Sequence, residues 1–318
     1  MPMKFVRSSE PLIAPVFSQE DILFYKWLAG FLDGDGYFAF YEKRNEPSLR
    51  IKQATWNIHL LELLKQRFGG YLGKAVKSED SNTYEYVLAK KDCLIELLHG
   101  VNGYIRGTSR TIQFKKLCEV YNITYIEPHA LTKPDDPYLA GMFDADGSIS
   151  LYINDPIKKR VLTLSMSSKY KEDIECYNTI FNGNITTRET RNCSDWKISA
   201  EEDVLFMQKS LVENLKSNKL IRFKLISLFY ELRGNKAYIP SSPFFKDWEN
   251  LLENWYTNGA DFYREDCKGR PYTQEARDLR AAKDTQEAQD LKAAKKKFKK
   301  DIGNMVDKII NKTGKFKT

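Results

Sequence analysis

The chain has 318 residues, enough to bury a sizeable core and to form two domains. No apolar run approaches the roughly 18 residues that a membrane helix needs, and the first nine residues lack the apolar core of a secretion signal. Five cysteines and three histidines are scattered without zinc-ligand spacing, so a reducing compartment is expected and any metal site has to rest on carboxylates. The net charge of +7 is uneven: residues 257–318 hold 16 basic and 10 acidic residues, which leaves the first 256 close to +1. If that body binds nucleic acid, its basic groups have to be segregated onto one face.

In chain order, three prolines keep residues 1–17 irregular, and Ser18 with Asp21 has the spacing of a capping box. A helix then runs to Asp35, and Gly36 is expected to close it in the left-handed conformation. Strands follow at Tyr37–Tyr41 and Leu49–Gln53, with a turn at Asn45–Ser48. Next come a helix at 57–68, a hairpin pairing 71–77 with 83–89, and helices at 91–99 and 109–121. A linker with three prolines, residues 126–137, ends in Asp136-Pro137, an N-cap followed by proline at the first helical position. The order then repeats: helix to Asp146, strands at 148–153 and 160–167, helix at 170–181, hairpin 184–188 with 196–200, helices at 204–215 and 219–232. The expected organisation is α+β, with domains at 1–127 and 138–256, a linker at 128–137, and a basic, helical extension at 257–318. That extension carries a twelve-residue repeat beginning at Thr273 and Thr285.

Both repeats begin with the same helix end. Leu28-Ala29-Gly30-Phe31-Leu32-Asp33-Gly34-Asp35-Gly36 and Leu139-Ala140-Gly141-Met142-Phe143-Asp144-Ala145-Asp146-Gly147 agree at six of nine positions, 111 residues apart. A carboxylate at a helix C-terminus opposes the dipole at a cost of roughly 0.3–1 kcal/mol. Gly30 with Gly34, and Gly141 with Ala145, put small residues on one helical face, so two such helices can approach closely. Asp35 and Asp146 would then lie side by side, repelling by roughly 1–4 kcal/mol at about 4 Å. That arrangement suits a hard divalent cation. An EF-hand is excluded, because the third ligand and distal Glu are missing, and a phosphate loop is excluded, because these glycines end a helix.

These stretches resemble the LAGLIDADG homing endonuclease family in its single-chain, two-repeat form, over about residues 18–235. The resemblance implies two αββαββα units whose motif helices form a pseudo-two-fold interface. It also implies two curved antiparallel sheets making a saddle over duplex DNA, and Mg²⁺-dependent hydrolysis of one phosphodiester per strand across the minor groove. Mn²⁺ substitution and Ca²⁺-supported binding without cleavage belong to the same expectation. The metal positions carried over are Asp35, Asp146, Gly34 and Ala145, while Asp33 and Asp144 are assigned to structure. Gln53 takes the polar role of the second strand, with Met166 as its departing counterpart and Ser167 and Ser168 nearby. Arg106 and Lys216 take the basic role, with Lys219 as competitor. DNA contacts are expected from Tyr37, Ala39, Tyr41, Arg50 and Lys52 in the first half, and more weakly from Lys74 and Lys77 of the later hairpin. The second half offers Ser148, Ser150, Tyr152, Thr163 and Ser165, and more weakly Arg188, Arg191 and Lys197 of its later hairpin.

The resemblance further implies a monomer on an asymmetric double-stranded target, no membrane partner, and an organelle genome as host. An RNA-binding maturase that assists group I intron splicing is the alternative, and a DNA-binding regulator without cleavage is a third reading.

Overall fold

The computed structural model describes residues 15–41, 46–75, 82–154 and 159–257. Helix α1 (Gln19–Asp35) begins at the expected box: Ser18 Oγ accepts from Asp21 N at 3.1 Å, and the Asp21 carboxylate accepts from Ser18 N at 3.3 Å. Strands β1 (Gly36–Tyr41) and β2 (Glu46–Ala54), helix α2 (Ile58–Phe68), strands β3 (Tyr71–Lys74) and β4 (Thr83–Leu88), and helices α3 (Lys91–Val101) and α4 (Thr108–Tyr121) complete the first half. The second half repeats the order as α5 (Pro137–Asp146), β5 (Gly147–Asn154), β6 (Lys159–Ser168), α6 (Glu172–Phe181), β7 (Asn184–Arg188), β8 (Cys193–Ile198), α7 (Glu201–Leu211) and α8 (Lys219–Gly234). Asp136 caps α5, accepting from Tyr138 N, with Pro137 at the first position.

Each half forms one antiparallel four-stranded sheet, in the orders β1-β2-β4-β3 and β5-β6-β8-β7. Alternation sends Phe38, Leu49, Ile51, Tyr86 and Leu88 of the first sheet into the core, and Leu162, Leu164, Met166, Trp196 and Ile198 of the second. The opposite, outer faces stay polar.

The two halves meet along α1 and α5. A methyl added to Gly30 would overlap Tyr138 O and lie 2.7 Å from Met142 N; one added to Gly141 would overlap Trp27 O and lie 2.9 Å from Phe31 N. The small residues therefore let backbone touch backbone, as their spacing predicts. At the helix ends the structure departs from expectation. Gly36 (φ −76°) and Gly147 (φ −68°) are extended, not left-handed. Glycine is needed there for space: a methyl on Gly36 would sit 2.7 Å from Leu32 O, and one on Gly147 would overlap the Phe143 ring.

Three further differences have simple causes. Residues 46–48, expected in a turn, are strand, with Pro47 opposite Phe40 at the sheet's edge. Lys74 ends β3 opposite Tyr84, and so alternates onto the helix side of the sheet. An additional helix, α9 (Phe245–Thr257), packs on α8 and buries Trp248, Leu251 and Trp255, whose spacing of three and four was its sequence signal. Residues 1–14, Lys77 and the extension from 258 onward lie outside the described residues. Among the described residues no helix is long and apolar enough to cross a membrane.

Candidate active site

The first aspartate of each motif ties the halves together. Asp33 accepts from Arg106 N at 2.8 Å and from the Tyr138 hydroxyl of α5 at 2.6 Å. Asp144 accepts from Lys216 N at 2.8 Å, from Ser217 N at 3.0 Å, from the Ser217 hydroxyl, and from Trp27 Nε1 of α1 at 2.9 Å. The pattern is two-fold: each carboxylate holds the loop before the last repeat helix of its own half and one aromatic donor from the other. Burial, opposed by these bonds, pushes the Asp33 carboxyl up to about 6. Trp27→Phe removes one charge-assisted bond and part of a buried indole, so it should lower stability by at least about 1.5–3 kcal/mol, read as a drop in the urea midpoint. An unchanged midpoint would show that this bond contributes nothing to joining the halves.

The second aspartates meet at the end of the interface. A methyl on Gly34 would overlap the Ala145 methyl and lie 3.0 Å from Asp146 Oδ2. Asp35 is half-buried, and its carboxyl is raised by burial, opposed by Gln53, Lys219 and Arg110. Asp146 keeps a solvent-open edge, yet dense protein on its other sides and the Asp35 charge push it up to about 6. Gln53 Nε2 donates to Asp35 Oδ2 at 2.5 Å, and Gln53 Oε1 accepts from Asn57 Nδ2 at 3.3 Å.

The register reassigns the second-half partner. Gly36 pairs with Ile51, and Gly147 pairs with Met166, so Met166 corresponds to Ile51 and is equally buried. The residue equivalent to Gln53 is Ser168, because β5 has two more residues than β1 and the return strand is lengthened to match. Ser168 Oγ donates to Asp173 Oδ2 at 3.2 Å, and so faces Asp173 where Gln53 faces Asp35. Asp173 Oδ1 in turn accepts from Thr108 N at 2.9 Å and Thr108 Oγ1 at 2.7 Å at the start of α4. Its counterpart Asn57 accepts from Asn218 N at 3.2 Å, before α8. Each half thus caps the helix of the other that carries the site's cation.

Of the expected cations, only the competitor Lys219 reaches the helix ends. Arg106 Nη1 donates to His129 O at 2.5 Å and its guanidinium lies over Tyr138; the Lys216 ammonium lies 5.4 Å from the Trp27 ring centroid. Their backbone N–H groups are held by Asp33 and Asp144, which turns the side chains along the interface and away from the second aspartates. Arg110 and Lys219, in the first turns of α4 and α8, reach back instead. Arg110 Nε donates to Leu32 O at 2.9 Å and Nη2 to Gly34 O at 3.4 Å. Lys219 Nζ donates to Phe143 O, Asp144 O and Ala145 O at 3.0, 2.7 and 2.9 Å. Each caps a motif helix C-terminus, where a cation offsets the dipole. The carbonyls of Gly34 and Ala145, expected beside a metal, are therefore already engaged by cations. Burial lowers the Lys219 pKa against the pull of Asp144, Asp35 and Asp146.

On the outer faces, Tyr37, Tyr41 and Lys52 are exposed and Arg50 half-buried; Ser148 is exposed, and Ser150 and Ser165 are half-buried. Arg191 and Lys197 are exposed and Arg188 half-buried. Ala39 and Thr163 share these faces but are 1% and 8% exposed, too short to emerge between longer neighbours. The second-strand equivalents of Arg50 and Lys52 are Ser165 and Ser167. Tyr152 lies in β5, and its side chain is outside the described residues. Tyr71, which spacing did not single out, lies against Gly73 on the outer face and is 66% exposed.

Residues 28–121 match a family model described as LAGLIDADG endonuclease. The chain is 35% identical over 251 residues to the intron-encoded RNA maturase bI4 of Saccharomyces cerevisiae, covering 76% of this chain and 38% of that protein. It is 29% identical over 256 residues to the intron-encoded DNA endonuclease ai2a of Dictyostelium discoideum, covering 73% of this chain and 75% of that one. A crystal structure of the LAGLIDADG meganuclease I-AabMI bound to uncleaved DNA has the same fold, with a TM-score of 0.55 at 17% identity, covering 77% of this chain and 99% of that chain. The chain spans about two-fifths of the yeast relative's length.

Proposed function

The chain belongs to the LAGLIDADG family, and on that premise we propose that it is a site-specific endonuclease, hydrolysing one phosphodiester in each strand of an asymmetric DNA duplex. The observation that carries this is the convergence of Asp35 and Asp146 where α1 and α5 end, each carboxyl raised from its ordinary value. Two close carboxylates burden the fold with repulsion that has no structural use, since Asp33 and Asp144 already join the halves.

The donor set fits a hard divalent cation: both groups offer carboxylate oxygens, and their charges repel in its absence. Among the described residues no cluster of three or more His, Cys, Asp and Glu forms a metal cage, so water and phosphate oxygens would complete the shell. Asp35 and Asp146 would hold the metal, Mg²⁺ by family resemblance, which when bound activates water and stabilises the departing oxygen. The protein's own part is positional. Gln53 fixes the orientation of Asp35. Lys219 and Arg110 neutralise the helix ends so that two carboxylates can remain ionised side by side. The outer faces of the two sheets supply tyrosine, hydroxyl and basic groups suited to base edges and phosphates.

Incubating the purified chain with Mg²⁺ and a library of intronless host genes tests the proposal. It fails if folded, DNA-binding protein cuts none of them. Lys219→Met should slow single-turnover cleavage by roughly 10²-fold, as for loss of one preorganised donor. Lys216→Ala should stay within about threefold, and the reverse order would restore the basic role to Lys216.

One observation favours a second reading. The yeast relative at 35% identity is named an RNA maturase, so assistance to intron splicing is the alternative. Faster splicing of the host intron RNA with added protein, alongside no DNA cleavage, would decide for it. The intron-encoded names of the relatives also support an organelle-genome context.

A further inference from the structure

The outer face of the second sheet contains one feature that a surface for a polyanion should avoid. Asp195 of β8 stands in its middle, opposite Ser167 of β6 on one side and Thr186 of β7 on the other. An unneeded carboxylate there would repel phosphate. Asp195 is only 6% exposed, and both its oxygens face donors within the sheet. Ser167 Oγ donates to Oδ1 at 2.5 Å, and Oδ2 is ion-paired with Nε of Arg188 by proximity, without a well-directed hydrogen bond. The Arg188 side chain is 39% exposed, and its terminal amino groups have no protein partner among the described residues.

We propose, resting on the DNA reading above, that Asp195 is a positioning residue for base recognition. It fixes Arg188 by its Nε edge, so that the two-pronged terminal edge projects from the sheet to read a guanine in the major groove. A guanidinium held in this way matches guanine O6 and N7 bidentately, which a lysine cannot do. An unanchored arginine would spend its rotamer freedom on phosphates and read no base.

The first sheet also places a carboxylate beside an arginine at the equivalent register, but there it faces a terminal guanidinium nitrogen and not Nε. Lys52 pairs with Glu85 as Ser167 pairs with Asp195, so Glu85 and Asp195 occupy the same place in the two halves. Glu85 faces Arg50 Nη1 at 3.5 Å, and the Arg50 guanidinium also lies over the Tyr41 ring at 5.9 Å. The arginines come from different strands, β2 and β7, while the carboxylate position is shared. The two halves thus share a carboxylate beside an arginine at one register, and the Nε anchor is particular to Asp195 and Arg188.

The test is selection from a fully randomised duplex DNA library with the full chain, its Asp195→Asn, Asp195→Glu, Ser167→Ala and Arg188→Lys variants, and sequencing of the bound pool. The wild type should enrich a site with guanine at a position that Arg188→Lys relaxes roughly tenfold or more. Asp195→Asn should relax that same position and no other, Ser167→Ala should relax it partly, and Asp195→Glu should restore part of the preference. Thermal melts of each variant accompany the selection. If Asp195→Asn fails to fold, the Ser167→Ala result decides. The inference is overturned if folded Asp195→Asn or Ser167→Ala retains the wild-type preference at every position, or loses preference evenly across the site. A wild-type chain that enriches no sequence overturns the DNA reading itself, a distinguishable failure.

Discussion

Asp35→Asn and Asp146→Asn should each reduce DNA cleavage about a thousandfold while leaving target affinity within about threefold. Each substitution removes a charged oxygen donor, and a loss of about 4 kcal/mol of transition-state stabilisation corresponds to that factor. Binding is spared because the outer-face groups, Tyr37, Arg50, Lys52, Arg188 and Lys197, are untouched, and because one negative charge fewer faces the phosphates. Stability gives the second half of the prediction. Burial and the Asp35 charge raise the Asp146 carboxyl, so in the free protein the pair contributes repulsion. Neutralising either should leave the melting temperature unchanged or higher. Asp144→Ala should do the opposite: it strands the buried donors Trp27 Nε1, Lys216 N and Ser217 N and unfolds the interface. Equal loss of stability from Asp35→Asn and Asp144→Ala would remove the distinction between a chemical and a structural aspartate. Cleavage that survives Asp35→Asn would remove Asp35 from the reaction.

That distinction was partly legible in the sequence. Small residues four apart beside an aspartate can only mean close helix contact, because a side chain at Gly30 or Gly141 collides with the opposing backbone. The element order was legible for the same reason that duplications usually are: each half has to bury the same sheet face. The cations were only half legible: Lys219 was a competitor for its role, and Arg110 was not singled out. Arg106 and Arg110 differ by one helical turn, as Lys216 and Lys219 nearly do, and which of them reaches back depends on where the helix begins. The helix start is fixed by Asp33 and Asp144 capturing backbone N–H groups, a tertiary event with no local signal. The same holds for Ser168. Counting residues from the motif fails when one hairpin has longer strands, and only the pairing of Gly147 with Met166 sets the correspondence. Asn57 and Asp173 were hidden because each caps a helix in the opposite half. Their asymmetry, an amide bonded to Gln53 against a carboxylate bonded to Ser168, makes the two strand sites chemically unequal.

The largest effect on the fold should come from the glycines at the helix contact. Gly141→Ala adds a single methyl to a helix interior, which by propensity alone should stabilise by about 1 kcal/mol. At this position the methyl would overlap Trp27 O and crowd Phe31 N at 2.9 Å, and both neighbours are helix backbone that cannot rotate away. The helices have to separate, and the cost spreads beyond the clash. The Trp27–Asp144 and Tyr138–Asp33 bonds both span the interface and lengthen together. Overpacking of this kind costs about 1–3 kcal/mol, and the coupled loss of buried bonds adds to it. A melting temperature lower by roughly 5–15 °C is expected for a body of this size. Gly234→Ala is the control: it ends α8, a methyl there meets no atom within 4 Å, and it should be neutral or stabilising. Because Asp35 and Asp146 come from opposite sides of the widened contact, Gly141→Ala should also lose cleavage at temperatures where it remains folded. If it melted normally and cut at the wild-type rate, the close approach of α1 and α5 would not be what brings the two carboxylates together.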